Sequence, residues 1–179
     1  LKPQNMTYKM TACTFAWSID MHFKLRLILV SALLSVALAD AEVTLDGSVG
    51  PPSINPGDPV AAGNGYTYDI TADLGEQAGQ NLFHSFDLFN IDSGEHANFS
   101  GPASIINIVS RVTGGSSSIS GSITSSISGA SLWLVNPAGF LFTDGAVVDV
   151  DGTFHLSTAD YLEFADRARY FSNLSDRST

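Results

Sequence analysis

The sequence predicts an all-β chain of short strands. They either wind into a stack of coils, a parallel β-helix, or fold as a sandwich or meander. Three observations point there. The first is Ser131–Phe142, Ser-Leu-Trp-Leu-Val-Asn-Pro-Ala-Gly-Phe-Leu-Phe, which reads as strand, turn, strand. Leu132 and Leu134 fall on one face of an extended segment, Trp133 and Val135 on the other. Asn136-Pro137-Ala138-Gly139 is the turn: Pro137 pre-sets φ at the second position, and Gly139 accepts the positive φ that a β-carbon resists. The same two residues would interrupt a helix. The second observation is that the beat continues through Asp144-Gly145, Ala146–Val150, Asp151-Gly152 and Thr153–Leu156. With Leu132, Phe140, Val147 and Phe154 as anchors the steps are 8, 7 and 7 residues, so a three-sided coil would return after 22. Regularly spaced short strands also suit a sandwich, and spacing alone leaves both architectures open. The third is composition: residues are 44% hydrophobic but only 15% charged, with Ser, Thr, Gly and Asn in place of charge. Polar but uncharged faces suit a secreted β-protein.

The N-terminal part divides in two. Residues 1–20 fit no element and read as an upstream extension of the reading frame, with Met6 and Met10 as other candidate starts. Residues 21–39 have the form of a secretory signal peptide: His22, Lys24 and Arg26 make a basic start, Leu27–Leu38 is apolar, and Ala37-Leu38-Ala39 is an A-x-A site with cleavage before Asp40. The apolar run is shorter than a comfortable bilayer span, which disfavours a retained anchor. That leaves 40–179 as the mature domain. Its four basic and 17 acidic residues give a net charge of −13, and no Lys or Arg occurs between Arg26 and Arg111. A basic nucleic-acid interface and attraction to anionic lipid are thereby excluded. The single cysteine, Cys13, precedes the leader. A stacked core that needs no staples and a chain that must cross a second membrane unfolded both account for a cysteine-free domain.

From Asp40 the elements follow in order. Glu42–Leu45 is a short alternating run, suited to covering one end of a coil. Gly50–Pro59 carries four prolines and is a loop. Tyr66–Ile70 alternates β-branched and aromatic residues as a strand does, and Gly75–Gln80 is turn-like. Asn81–Asn90 is heavily apolar. Its turn-rich flanks favour strand over the helical spacing of Leu82, Phe86 and Phe89. His84 has no Cys or second His at ligand spacing and reads as a packed or half-exposed side chain; no metal or other cofactor is expected. His96–Ser100 and Ser104–Val112 are strands split by Gly101-Pro102. Asn107 reads either as part of an amide ladder inside a coil or as a solvent-facing residue, and Arg111 as a surface ion pair worth about 0–1 kcal/mol. Thr113–Gly129 is Ser/Gly-rich. Its evenly placed Ile119, Ile123 and Ile127 favour small strands over a linker. Asp160 and Glu163 read either as a capping box opening a helix or, with Tyr161–Phe164, as a further rung. The last residues show no cap, and the domain is expected to be C-terminally truncated.

Three stretches together resemble the N-terminal secretion domain of the filamentous haemagglutinin family of two-partner secretion adhesins. They are Asn81-Leu82-Phe83-His84-Ser85-Phe86, Asn107–Gly114 and Leu134–Phe140, and Gly152–Asp160 is also similar to a family segment. The resemblance covers about Val43–Ala165, with the stretches in matching order and separation. It implies a right-handed parallel β-helix with a non-helical N-terminal cap. It also implies export through the periplasm of a Gram-negative-type envelope to the cell surface or beyond, by way of an outer-membrane β-barrel transporter. Where the family has Asn-Pro-Asn-Gly-Ile, this chain has Asn136-Pro137-Ala138-Gly139-Phe140. The turn formers are kept and the second amide is not; the family's Asn-Pro-Asn-Leu is absent. Contacts with a host-cell or carbohydrate surface are expected of a downstream region.

A secretion module needs no catalytic site. The residues expected to serve transporter recognition, or to nucleate the fold, are Asn136, Pro137, Gly139 and Phe140, with Asn81, Leu82, Phe83, His84, Ser85 and Phe86 second. Turn and core roles explain the same residue types. Two other functions compete. Asp149 and Asp151, two apart on a strand, suit a β-helix carbohydrate-active enzyme, or with Asp144 a Ca²⁺ site. A stand-alone carbohydrate-binding module is the other.

Overall fold

Short alternating runs closed by glycine turns can satisfy their backbone groups only against neighbouring runs, and here each run finds its neighbour one coil away. The computed structural model describes residues 42–64 and 66–172. The upstream extension, the leader and its Ala37, Ala39 and Asp40 lie outside them. In chain order the strands are β1 (Val43–Leu45), β2 (Thr67–Ile70), β3 (Glu76–Ala78), β4 (Asn81–Phe89), β5 (His96–Phe99), β6 (Asn107–Val112) and β7 (Ser117–Ile119). They continue as β8 (Ser122–Ser125), β9 (Ser131–Val135), β10 (Phe140–Phe142), β11 (Val147–Asp149), β12 (Phe154–Ser157), β13 (Tyr161–Glu163) and β14 (Arg169–Phe171). Among the described residues no helix is long and apolar enough to cross a membrane.

Ten of these strands stack as a parallel β-helix. One face stacks β4, β6, β9 and β12; a second stacks β2, β5, β8 and β11; the short third face pairs β7 with β10. All the pairings within these stacks are parallel, which excludes a sandwich of hairpins. Leu132 pairs with Phe154, so the coil returns after the 22 residues that the strand spacing predicts. The earlier coils are longer: Asn81 pairs with Asn107 and Asn107 with Ser131.

The register lines up the apolar positions inside. Leu82, Ile108 and Leu132 stack in one column of the first face, Phe86 over Val112 in another, and Ala97 over Ile123 on the second face, all buried. Ile119, Ile123 and Ile127 all point inward from different positions around one coil. Their four-residue spacing is a side plus a corner of the coil, not a helical stripe. The corner at Gly121 admits no side chain: a β-carbon there would lie 2.3 Å from the carbonyl oxygen of Glu95. The terminal coil leaves Phe142, Val147 and Leu156 exposed.

Antiparallel strands cover the N-terminal edge of β4. Val43 of β1 pairs with Phe89, and Glu76 of β3 with Phe83. Three expectations change here. Gly75–Gln80 contains strand β3, and only Gly79, at φ 61°, makes the turn. Asp160–Tyr170 is neither helix nor rung. It holds most of the antiparallel hairpin β13–β14, because the loop between its strands lets Glu163 pair with Arg169 in register and in charge. Asn107 does form an amide ladder, donating from Nδ2 to Asn81 Oδ1 at 2.8 Å, but outside the coil rather than within it.

Because Ile123 is fully buried in the packed lumen, a truncation there is felt without relief. Ile123→Ala is expected to destabilise the domain by about 2–5 kcal/mol, read as a lower urea midpoint with an unchanged slope.

Candidate recognition surface

The turn after β9 is built by its own sequence. The Gly139 amide donates to the Asn136 carbonyl at 2.9 Å, and Gly139 takes φ 95°. Asn136 Oδ1 accepts from the Ala138 amide at 2.9 Å, an Asx turn. Its Nδ2 donates to the Gly115 carbonyl and to Ser117 Oγ, each at 3.0 Å, in the preceding coil. Its amide donates to the Ser157 carbonyl of the following coil at 2.9 Å. One buried amide side chain with its backbone therefore ties three coils together. Pro137 and Ala138 are exposed, and Gly139 and Phe140 half-buried. The amide that Ala138 lacks would have faced solvent.

The second candidate stretch is the first half of β4. Leu82, His84 and Phe86 point into the lumen, and Phe83 points outward. His84 is packed: its Nε2 lies 3.1 Å from the Thr71 carbonyl, so Nε2 carries the hydrogen, and the ring stacks against Phe86. Burial depresses its pKa to about 4, with the Thr71 carbonyl opposing. The two candidate stretches are thus separate: the turn sits between the later coils, Asn81–Phe86 in the first.

Outside β4 lies a network that sequence reasoning missed. Arg111, expected on the surface, is fully buried. Its Nε donates to Ser85 Oγ and an Nη to Ser48 Oγ, both at 2.7 Å. Both hydroxyls donate to Asp46, at 2.6 Å each, and Thr113 Oγ1 adds a bond at 3.0 Å. The guanidinium also donates to the Phe171 carbonyl and lies 4.3 Å over the Tyr170 ring. Burial alone would raise the Asp46 pKa, but the hydrogen bonds from Ser48, Ser85 and Thr113 hold it below its ordinary 3.8. The signal in the sequence was a lone arginine inside the apolar run Ile105–Val112. Its partners come from β4, from the segment after β1 and from the return of β14.

That return brings the hairpin across the outer face. Phe83 meets Phe164 edge-on at 5.9 Å and Tyr170 at 5.1 Å, and Tyr170 Oη donates to the His84 carbonyl at 2.7 Å. A cavity of about 180 Å³ remains between Asn81, Asn107, Val109 and Trp133 on the sheet and Leu162, Glu163 and Phe164 on the hairpin. Trp133 stacks on His155 with ring centroids 3.6 Å apart.

The carboxylates proposed for catalysis are not brought onto one strand. Asp149 ends β11, and Asp151 lies in the bend that follows. Among the described residues, no group of three or more His, Cys, Asp or Glu could hold a metal ion.

The sequence model of the TPS secretion domain matches residues 41–179. The chain belongs to the TPS secretion domain family. No curated protein and no solved structure matches it. Membership makes the TPS domain a two-partner secretion module. The family works with an outer-membrane transporter and reaches the exterior through the periplasm of Gram-negative bacteria. In this TPS domain the match begins at the strand that caps the coil and runs through the hairpin.

Two measurements follow from the buried polar groups of the TPS domain. Asn136→Ala leaves the Gly115 carbonyl, Ser117 Oγ and the Ala138 amide short of a partner. It is expected to cost about 1–3 kcal/mol in urea unfolding while leaving the circular dichroism spectrum of a β-protein. His84 binds its proton more weakly folded, at about 4, than at the ordinary 6.5. The unfolded chain therefore takes up a proton that the folded chain refuses in between. Stability is full above pH 6.5 and falls as pH drops toward 4, by roughly 3 kcal/mol. A His84→Phe variant is expected to lose that part of the pH slope, measured by urea midpoints between pH 7 and 4.

Proposed function

We propose that this domain is recognised in the periplasm by an outer-membrane β-barrel transporter before it folds, and that outside the cell its first coils nucleate the β-helix. The observation that carries this reading is the match to the TPS secretion domain over a chain whose every coil pairs only with its neighbours. Extended, uncharged β-forming sequence offers a strand for β-augmentation while unfolded. Once the first coils stand outside, each templates the next, and progressive folding biases passage outward.

Asn136 supports recognition before folding rather than after. Its side chain is buried and fully engaged in the folded domain, so a partner reads it only in the unfolded chain. In the fold Asn136, Pro137, Gly139 and Phe140 act as the nucleating turn. Residues 21–39 serve as the cleaved leader, with the mature chain starting at Asp40, and the module performs no catalysis itself. Contacts with a host-cell or carbohydrate surface belong to sequence beyond this domain. The carbohydrate-active alternative loses its best support with Asp151 in a turn rather than on the strand of Asp149.

The test is secretion of the full chain from cells with and without a candidate outer-membrane transporter, with Asn136→Ala alongside. The expected result is transporter-dependent appearance in the medium. A folded Asn136→Ala chain that is no longer secreted assigns recognition to the turn, and a folded one secreted as before leaves the turn with a folding role. Secretion that ignores the transporter, or retention in the periplasm of both strains, sinks the reading.

A further inference from the structure

The β13–β14 hairpin is joined to the β-helix unlike any other strand. Its two strands pair with each other alone, outside the three stacked faces. It leaves the last coil after β12 and returns along the outer face to β4, crossing three strand spacings, about 14 Å. Where it lands it is held by side chains: Phe164 and Tyr170 on Phe83, Tyr170 Oη on the His84 carbonyl, and Arg111 against Tyr170 and the Phe171 carbonyl. These contacts join residues 60 and 86 apart in sequence, against 22 between the paired Leu132 and Phe154. Closing the longer loops costs more chain entropy and brings no ladder of backbone bonds in return.

What the hairpin covers is specific. Phe83 lies directly beneath it, and Ser85 and Arg111 lie under its end, within the network around Asp46. The outer face of Asn81–Phe86 is therefore closed by a segment that follows all the stacked strands in the chain.

We propose that β13–β14 is a latch. It closes over the outer face of β4 and β6 after the coils have stacked, and it opens as a unit without unfolding them. Before closure the outer face of Asn81–Phe86 is open to a partner; after closure it is not. That consequence for a partner rests on the secretion reading. The latch itself does not, and its test uses no transporter.

The purified full chain carries a built-in reporter, since Trp133 lines the cavity under the hairpin. Trp17→Phe removes the other of its two tryptophans. In native-state hydrogen exchange, the amides of Tyr161–Glu163 and Arg169–Phe171 are expected to exchange through an opening that leaves β8 and β9 protected. Tyr170→Ala is expected to speed hairpin exchange by about tenfold or more and to raise acrylamide quenching of Trp133, with β8 and β9 unchanged. Tyr170→Phe, which removes the hydroxyl that donates to the His84 carbonyl and keeps the ring, is expected to show the same pattern more weakly. Equal loss of protection in hairpin and coils overturns the latch, as does Trp133 quenching that ignores Tyr170→Ala. A Tyr170→Ala chain that does not fold, with Tyr170→Phe unprotecting β8 and β9 as much as the hairpin, also overturns it, because the coils would then depend on the hairpin.

Discussion

Parallel backbone pairing between successive coils is the constraint on which everything else depends. Within the three stacked faces the strands find their backbone partners chiefly in the coils above and below, with β1 and β3 covering the outer edge of β4. Register then follows, because a slip of one residue would send every inward side chain outward. The columns Leu82–Ile108–Leu132 and Ala97–Ile123 are the visible result. So is the need for glycine at Gly121, where the corner runs against the carbonyl of the coil before it.

A stack so built has two ends, and the described residues treat them differently. At the N-terminal end β1 and β3 turn antiparallel and cover the edge of β4. On the opposite side, the last described coil presents Phe142, Val147 and Leu156 to solvent. The hairpin does not lie on that end but returns along the side. This arrangement gives the first coil an outer layer as well as a lumen, and there the domain buries a guanidinium, with the carboxylate that balances it half-buried. Isolated in an apolar site, Arg111 would be very costly. Ser48 and Ser85 relay it to Asp46, and the guanidinium spends its remaining donors and its flat face on β14.

The same economy marks the turn at Asn136. An asparagine can hold an Asx turn locally and donate both amide hydrogens at a distance, which neither aspartate nor alanine can do. In this domain it reaches the coil before and the coil after from one buried position. A residue with these duties is available to a partner in the unfolded chain and withdrawn in the folded one. That behaviour suits the proposed recognition of the chain before it folds.

The strand periodicity, the turn at Asn136–Gly139 and the 22-residue return were legible in the sequence because each rests on contacts within a coil or between adjacent ones. The cap at β1 and the small strands around Ile119 and Ile123 were legible for the same reason: local alternation and turn chemistry decide them. The choice of coil over sandwich was not legible in the spacing; the family resemblance of Asn81–Phe86, Asn107–Gly114 and Leu134–Phe140 is what pointed to the coil. That choice depends on which strand pairs with which, and short apolar runs serve either arrangement until the partners are fixed. Nor could the sequence place Arg111, since its burial requires Asp46 and Ser48 from the cap and Tyr170 and Phe171 from the hairpin. The hairpin itself was misread because Tyr161–Glu163 and Arg169–Phe171 are too short to declare themselves alone. The sequence by itself determined the strands, their turns and the coil's period. Tertiary structure decided how the hairpin lies against the outside of the first coil, because its contacts there join residues sixty or more apart and follow no local pattern.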